Sequence, residues 1–410
     1  MASTLHPSNR RPSSAPIDST AKDGVLPLDL LYDILLRLPV KPICRFRAVC
    51  TSWHSLLCHP DFIAAAPPGP RIAVGICHDG PSDVVVSVLD RDSGDLLKRV
   101  NIDATSHHGT PPPQETPDVC PERAVCVVDN DGRLHLIDPA TGAVKLLPDP
   151  PASNHMSTSC TLGCAALTGE YKVLAIANAA KHMWQHVCKI LTLNDNGGKH
   201  RWRETGSPGY SLLAPLPPWT YSREVAVVEG VAYFLVNLDD MHARNALDRQ
   251  HAWIMAFDLG SEVWQEDALQ GPRCQHNVAL AMLKGQLVVC HDDRRAYMEL
   301  WFLVDLDPAQ WCMRLKIAMP SLKLSSPMST SLMYFGKPLA LLEDGTIVMW
   351  MRVTPAGCSN PLDTVLRHYD PRTRTFTDGM QVAKCNHMAV HTWSILYSGR
   401  GGIRRAALES

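Results

Sequence analysis

The chain has 410 residues, 45% of them apolar, which is enough for a buried core and argues against a mostly disordered protein. Its 39 Lys and Arg residues nearly balance its 41 Asp and Glu residues. The net charge of -2 therefore gives no electrostatic reason to expect a nucleic acid or a membrane as a partner. No stretch approaches the ~18 uninterrupted apolar residues of a membrane span. The 14 cysteines form no CxxC pair, and no secretory signal is visible, so reduced thiols in the cytoplasm, the nucleus or both are expected.

The first 66 residues contain two kinds of segment. Residues 1–23 are rich in Ser, Pro, Thr and Asn, which predicts a disordered leader. Residues 24–66 have a helical pattern, with Pro27 suited to a first helical position and Pro39 to a helix end. Three short helices are predicted. The first helix carries one wide apolar stripe, formed by Leu30, Leu31, Ile34, Leu35 and Leu38.

This apolar stripe is large for so short a segment. About forty residues are too few to close a core around that much apolar surface. Either another protein covers part of the stripe, or the stripe packs on the rest of the chain as an ordinary helical cap. Composition and periodicity leave both alternatives open.

A strand-rich region follows a predicted linker at residues 67–70. From residue 71 to residue 398, short β-branched runs alternate with turns, and residues 399–410 are a predicted tail. Six Asp residues are each followed, six or seven residues later, by an apolar or aromatic residue that opens a return strand, as expected for an Asp turn in a hairpin. The pairs are Asp90 and Leu96, Asp138 and Val144, Asp195 and Trp202, Asp258 and Trp264, Asp305 and Trp311, and Asp370 and Phe376.

These hairpins recur as a repeat, at an average spacing of about 56 residues, the 280 residues from Asp90 to Asp370 in five steps. A propeller blade takes ~40–50 residues, so loop insertions are expected. They are visible at residues 101–122, 205–222, 239–250 and 318–333. The predicted fold class is α+β, a small three-helix N-terminal domain followed by an all-β propeller-like domain of about six to seven blades. The segment 388–397 is predicted to pair with the first blade, and a β-sandwich is the alternative.

The helical segment resembles the F-box. That pattern runs Leu-Pro, an acidic residue, paired Leu, Ile-Leu, Leu-Pro, Arg, Val-Cys, Trp and a late Pro-x-Phe. The matching residues are Leu26, Pro27, Asp29, Leu30, Ile34, Leu35, Leu38, Pro39, Arg45, Val49, Cys50, Trp53, Leu56, Pro60 and Phe62. The downstream repeats resemble the F-box-associated β domains of plants, which are similar to kelch propellers, although the kelch Gly-Gly pair does not recur here.

The resemblance implies a non-catalytic adaptor. F-box proteins dock on a Skp-family adaptor that links them to a cullin scaffold, and their C-terminal domain presents a target protein for ubiquitin transfer. The adaptor-facing positions of the family correspond here to Leu26, Pro27, Leu30, Ile34, Leu35, Leu38, Pro39, Val49 and Trp53. An F-box scaffold that acts outside ubiquitination and, from another class, a propeller enzyme are the alternatives.

The remaining reactive residues have structural interpretations, and no metal or cofactor is expected. His182 and His186 are spaced for zinc only on a helix, whereas their segment predicts two strands. Cys160 and Cys164 are interpreted as core thiols. The run of Cys, His and Asp at residues 290–292 is interpreted as a strand end, because catalytic groups meet in space rather than as chain neighbours.

The predicted target surface is the face of the β domain where the inserted loops gather. Within the loop PLPPWTY at residues 215–221, Trp219 and Tyr221 lie beside three prolines. Rigid aromatic side chains of this kind anchor many interfaces. Packing of Trp219 under its own loop is the alternative.

Overall fold

The structure is a computed structural model. It describes residues 28–37, 46, 49–57, 62, 72–79, 83–90, 96–103, 119, 121, 124–129, 132–139, 141–148, 158–179, 182–193, 201–213, 225–274, 277–293, 297–319, 336–342, 344–352, 363–383 and 387–391. The chain divides into two compact units. The helical unit is Met1–Gly69 with Ile395–Ser410, and the β unit is Pro70–Ser394.

Two helices lie among the described residues of the helical unit, α1 (Leu28–Leu36) and α2 (Thr51–Leu57). The Leu-rich sequence of α1 has a high helix propensity, and the helix ends where the Arg37 N–H donates to the Ile34 carbonyl at 3.1 Å. Both helices lie where the sequence predicts helices. Most of the segment between them is outside the described residues, so the three-helix domain stays a prediction.

The β unit contains six antiparallel sheets among its described residues, numbered in chain order. Sheet 1 joins β24 (His387–His391), β1 (Ile72–Asp79), β2 (Asp83–Asp90) and β3 (Leu96–Asp103). Sheet 2 joins β4 (Val125–Val128), β5 (Leu134–Ile137) and β6 (Val144–Leu146). Sheet 3 joins β7 (Thr158–Cys164), β8 (Tyr171–Ala179), β9 (His182–Leu193) and β10 (Arg203–Glu204).

The second half of the β unit has the same plan and one short helix, α3 (Met241–Ala246), between the second and third strands of sheet 4. Sheet 4 joins β11 (Val225–Val228), β12 (Val231–Leu235), β13 (His251–Asp258), β14 (Val263–Trp264) and β15 (Leu269–Arg273). Sheet 5 joins β16 (Val278–Leu283), β17 (Gln286–Asp292), β18 (Tyr297–Leu306) and β19 (Ala309–Ala318). Sheet 6 joins β20 (Gly336–Leu341), β21 (Ile347–Arg352), β22 (Asp363–Asp370) and β23 (Thr375–Ala383).

The sheets follow one another in chain order, as in a propeller. Neighbouring sheets contact each other through edge strands, namely β4 with β7, β11 with β16, β16 with β20, and β20 with β24. Five sheets have four or more strands and sheet 2 has three. A mostly β, propeller-like fold is therefore confirmed. Only five sheets in the described part of the chain reach the four strands of a blade, so six to seven blades stays a prediction.

The core lies between the sheets, because successive residues of a strand face opposite sides. On β13, Ile254 packs in the interface between sheets 4 and 5, and Met255 packs in the interface between sheets 3 and 4. On β17, Val289 faces sheet 4 and Val288 faces sheet 6. Continuous apolar strands of this kind are buried on both faces. A single sheet taken from the unit would expose both apolar faces to water, so it is not stable alone.

The predicted Asp turns are present between the third and fourth strands of sheets 4 and 6. The Asp258 carboxylate accepts the N–H groups of Gly260 at 2.7 Å and Ser261 at 2.8 Å. The Asp370 carboxylate accepts the Arg372 N–H at 2.8 Å. These bonds satisfy backbone donors that the tight turn leaves without a strand partner.

The large residue after each turn packs against the preceding sheet. Trp202 of sheet 3 lies in the interface with sheet 2, where its indole N–H donates to the Pro148 carbonyl at 2.7 Å. Trp311 of sheet 5 packs against the interface with sheet 4, where its indole N–H donates to the Gln270 carbonyl at 2.9 Å. The sequence prediction that these residues pin each hairpin to its neighbour is confirmed for these two sheets.

The last strand closes the first sheet. Strand β24 pairs antiparallel with β1, from Ile72 opposite His391 to Ile76 opposite His387. The predicted pairing of the C-terminal strand with the first blade is confirmed for residues 388–391, and residues 392–397 lie outside the described residues. The two ends of the β unit are therefore held together by backbone hydrogen bonds.

Candidate functional site

The helical unit has a small core formed by residues from separate segments. Leu35 of α1, Leu57 of α2 and Phe62 are fully buried against one another. Two edge-to-face aromatic pairs surround them, Tyr32 with Phe62 and Phe46 with Trp53. Such pairs fix side-chain orientation in addition to burying area.

The predicted adaptor-facing residues fall into three groups. Leu30, Ile34 and Val49 are 51%, 47% and 59% exposed, although all three are apolar. Leu35 is fully buried in the core, and Trp53 is half-buried against Phe46. The other predicted positions, Leu26, Pro27, Leu38 and Pro39, lie outside the described residues.

Leu30 and Ile34 share one side of α1 because they are four residues apart. Val49 precedes α2, and its N–H donates to the Phe46 carbonyl at 3.1 Å. The neighbouring Cys50 thiol accepts the Trp53 N–H at 3.5 Å at the start of α2, as an N-cap residue does. These local bonds fix Val49 and Trp53 relative to α2 and leave the apolar Val49 side chain in solvent.

In the β unit, sheets 3 to 6 have two different ends. The turns between first and second strands and between third and fourth strands lie at one end, called the turn end. Connections between second and third strands lie at the other, called the loop end. At the turn end the close approach of neighbouring turns requires glycine at residue 230: its φ is 82°, and a Cβ would lie 2.6 Å from the Ala166 nitrogen.

An ionic cluster joins sheets 3 and 4 at the turn end. The buried Lys172 ammonium donates to the Glu262 carboxylate at 2.9 Å, and Arg203 donates to the same carboxylate. Burial alone would raise the pKa of Glu262, but the hydrogen bonds from Arg203 and Lys172 outweigh burial and hold this pKa below its usual value. The cluster joins two neighbouring sheets through the side chains of Lys172, Arg203 and Glu262.

The loop end of sheets 3 and 4 carries a structured surface, the loop-end platform, formed by residues 205–213 and 236–250. Within it, Ala243 and Leu247 pack on the core between the two sheets and anchor α3. The Tyr210 ring stacks on His242 with centroids 5.4 Å apart. The Asn237 N–H donates to the Ser211 carbonyl at 2.8 Å, which joins the two segments.

A buried histidine supports the loop-end platform. His186 Nε2 accepts the Leu212 N–H at 2.8 Å, and the His186 carbonyl accepts the Ser207 hydroxyl at 3.0 Å. Burial lowers the pKa of His186 to about 4, against the raising effect of the nearby Asp240 carboxylate. The ring is therefore neutral at physiological pH, and its unprotonated Nε2 fixes the backbone of the platform.

The outer side of the loop-end platform is polar. Asp248 accepts the Gln250 N–H at 2.9 Å and contacts His251 Nδ1 at 3.0 Å. Arg249 pairs with Asp239 at 3.4 Å. Charged groups of both signs on a fixed backbone are able to bind a polar protein surface with a defined orientation.

The predicted aromatic pair Trp219 and Tyr221 lies outside the described residues, in the segment that follows the platform residue Leu213. The sequence indicated an insertion at residues 239–250 but not its helix, because α3 has only six residues and no helical period. It also gave no sign of His186 as a platform support.

The reactive residues considered for chemistry lie on strands. His182, His186 and Cys188 are all on β9, which confirms strands rather than a helix in that segment. Cys160 and Cys164, predicted to be buried core thiols, are half-buried on β7, and Cys160 packs against the apolar core between sheets 2 and 3. The run at residues 290–292 ends β17, as predicted.

Within the part of the chain that the structure describes, no group of three or more His, Cys, Asp or Glu side chains is arranged to hold a metal ion. Among the same residues, no helix is both long enough and apolar enough to cross a membrane.

Family comparisons match both units. An F-box domain model matches residues 25–64, and an F-box associated beta propeller domain model matches residues 105–389. The Arabidopsis thaliana protein At3g10240, named for an F-box, is 25% identical over 260 residues, 60% of each chain. F-box protein At2g21930 of the same plant is 24% identical over 307 residues, 70% of each chain.

The chain therefore spans 60% of the length of the first of these relatives. Among solved structures, a DUF4784 family protein from Bacteroides caccae aligns over 80% of this chain and 75% of that chain, at 12% identity and a TM-score of 0.38, which is too low to carry an argument. The propeller model alone covers residues 105–389, well over half of the 410 residues. With its propeller-like β unit and an F-box match over the helical unit, the chain belongs to the F-box proteins that carry an F-box associated beta propeller domain.

Proposed function

We propose that this protein is the substrate-recognition subunit of a Skp–cullin–F-box ubiquitin ligase. Its F-box binds a Skp-family adaptor, which connects it to the cullin scaffold, and its β unit binds a target protein. The chain itself performs no bond chemistry. It acts by raising the effective concentration of the target near the ubiquitin-loaded enzyme.

One observation carries this proposal: the segment that matches the F-box leaves Leu30, Ile34 and Val49 about half exposed on a unit with its own small core. Exposed apolar side chains of this kind favour a partner with an apolar groove. We assign these three residues, with the half-buried Trp53, to the adaptor contact. Leu35 supports the helical unit from inside instead.

The positions Leu26, Pro27, Leu38 and Pro39 remain part of the proposed adaptor contact on the F-box resemblance alone. Single substitutions Leu30→Ala and Pro39→Ala are each expected to weaken adaptor binding by about 1–3 kcal/mol. On the β unit we assign target binding to the loop-end platform, together with Trp219 and Tyr221 of the loop that follows it. The platform contributes a fixed polar surface, and the aromatic residues contribute apolar anchors.

The test is a pull-down of the full chain with a purified Skp-family adaptor and the cullin scaffold. The double variant Leu30→Asp with Ile34→Asp places two charges in the proposed contact, and it is expected to weaken capture at least about 30-fold, equivalent to about 2 kcal/mol. The matched control is Leu167→Asp, because Leu167 is also an exposed leucine but lies at the turn end of the β unit. A deletion of residues 26–62 gives the background.

Capture of the adaptor and scaffold by the wild type and the control, but not by the double variant, supports the proposal. Undiminished capture by a folded double variant contradicts the assignment of the adaptor contact. Capture of the adaptor without the scaffold supports the alternative of an F-box protein that acts outside ubiquitination.

A further inference from the structure

Two cysteines from neighbouring sheets enter the same interface. On β4, Cys126 packs against the apolar cluster between sheets 2 and 3, whereas the residues on either side of it face sheet 1. On β7, Cys160 packs against the same cluster from the other side. Strands β4 and β7 contact each other, so the two side chains meet across one gap between inner strands.

Both thiols are free and half-buried. The hydrogen bond to Cys160 raises the pKa of the Cys126 thiol, and burial raises it further. Cys126 therefore stays protonated near neutral pH. Since the thiolate is the reactive form, Cys126 is a poor first target for an oxidant.

A covalent bond between Cys126 and Cys160 would link sheet 2 to sheet 3. Among the described residues, sheet 2 has three strands where the other sheets have four or five. Cys126 and Cys160 are 34 residues apart in the chain (160 minus 126). A disulfide between them restricts the unfolded chain and stabilises the contact of sheet 2 with sheet 3.

We propose that Cys126 and Cys160 form a reversible disulfide between sheets 2 and 3 when a peroxide oxidises the protein. The Cys160 thiolate attacks one peroxide oxygen, the O–O bond breaks, and a sulfenic acid and hydroxide form. The Cys126 sulfur then attacks the sulfenic sulfur, the S–O bond breaks, and the Cys126 proton leaves with the oxygen as water. Each sulfur loses one electron to the peroxide oxygens, and a dithiol reductant reverses the reaction.

The test uses the full chain, reduced and then freed of reductant. It is incubated with hydrogen peroxide, blocked with an alkylating reagent, digested without reduction and analysed by mass spectrometry. The expected product is one cross-linked peptide pair that contains Cys126 and Cys160, with a rise in the thermal midpoint that dithiothreitol reverses. Because the reactive thiolate is scarce, the reaction is expected to need excess peroxide.

Each of Cys126→Ser and Cys160→Ser is expected to abolish both the cross-link and the rise in midpoint, with Cys160→Ala as a second variant if serine destabilises the interface. Cys188→Ser is the matched control, because Cys188 is a buried thiol of the interface between sheets 3 and 4 and leaves both effects intact. The near-ultraviolet circular dichroism of every variant reports whether it is folded.

Two results overturn the proposal. One is oxidation of the folded chain to sulfinic acid at these cysteines without a cross-link. The other is a cross-link that forms in urea-unfolded protein but not in folded protein, because the folded geometry then does not bring the sulfurs together. Neither result bears on adaptor binding, so this test is independent of the proposed ligase function.

Discussion

The helical unit and the β unit differ in how completely they bury their apolar residues. In the β unit, sheets 2 to 5 each contribute side chains to an apolar cluster on both faces, because each sheet has neighbours of the same kind. The helical unit has one small core and leaves Leu30, Ile34 and Val49 in solvent. Repetition provides each sheet with its own partner, whereas the helical unit leaves these three apolar residues for the proposed adaptor contact.

The largest expected effect comes from removing the strand that closes the β unit. A chain that ends at residue 386 lacks β24, so β1 keeps only β2 as a partner and the first sheet loses its inner strand. We expect the β unit to lose more than about 4 kcal/mol of unfolding free energy, measured by urea denaturation. A chain that ends at residue 391 is the control. Equal stability of the two chains would contradict closure by β24.

The next prediction compares the same core substitution, leucine to alanine, in the two units. Leu35→Ala and Leu136→Ala each remove a buried leucine side chain, at an expected cost of about 2–5 kcal/mol. The helical unit has only three fully buried core residues in its described part, so we expect Leu35→Ala to unfold α1 and α2 and to abolish adaptor capture indirectly. Leu136→Ala is expected to leave both helices folded. Hydrogen exchange measured by mass spectrometry distinguishes the two outcomes, and equal protection of α1 in both variants would contradict the comparison.

A pH-dependent loss of stability is expected in the β unit through His186. Its pKa is about 4 in the folded state and 6.5 as an ordinary histidine, so the unfolded chain binds more protons between these values. The neutral ring contributes fully to the free energy of unfolding above pH 6.5. This contribution, about 3 kcal/mol in total, is lost as the pH falls through about 4. Urea midpoints measured across this window test the loss. His186→Gln removes the titration, so a variant with the same pH slope as the wild type would assign the loss to other groups.

The smallest effect concerns the ionic cluster between sheets 3 and 4. Glu262→Gln leaves the buried Lys172 ammonium with only Glu170, at 3.5 Å, as a carboxylate partner among the described residues. We expect the variant to lose about 1–3 kcal/mol of unfolding free energy. Glu170→Gln, at a more exposed carboxylate, is expected to cost under about 1 kcal/mol. If the two variants are equally stable in urea denaturation, the cluster does not support the interface.

Local signals in the sequence predicted the repeated parts of the fold well. Asp258 and Asp370 mark their turns through hydrogen bonds to residues two or three positions away, so the pattern is complete within a short window of sequence. The apolar stripe of α1 is local for the same reason.

Features that depend on distant contacts could not be predicted in this way. Leu35 is buried because Leu57 and Phe62 pack on it, and no property of α1 itself distinguishes Leu35 from the exposed Ile34 beside it. The bond between Lys172 and Glu262 joins residues 90 positions apart. Such contacts are created by the order of the sheets, which single-sequence periodicity does not contain.

The pairing of β24 with β1 also determines when the β unit is able to fold during its synthesis. Ribosomes add about 5–20 residues per second, so the roughly 315 residues from Ile76 to His391 separate the two partner strands by roughly 15–60 s. The F-box segment leaves the ribosome before any strand of sheet 1. Throughout this interval β1 has an unpaired edge, and such an edge is a site for non-native strand pairing until the last strand emerges.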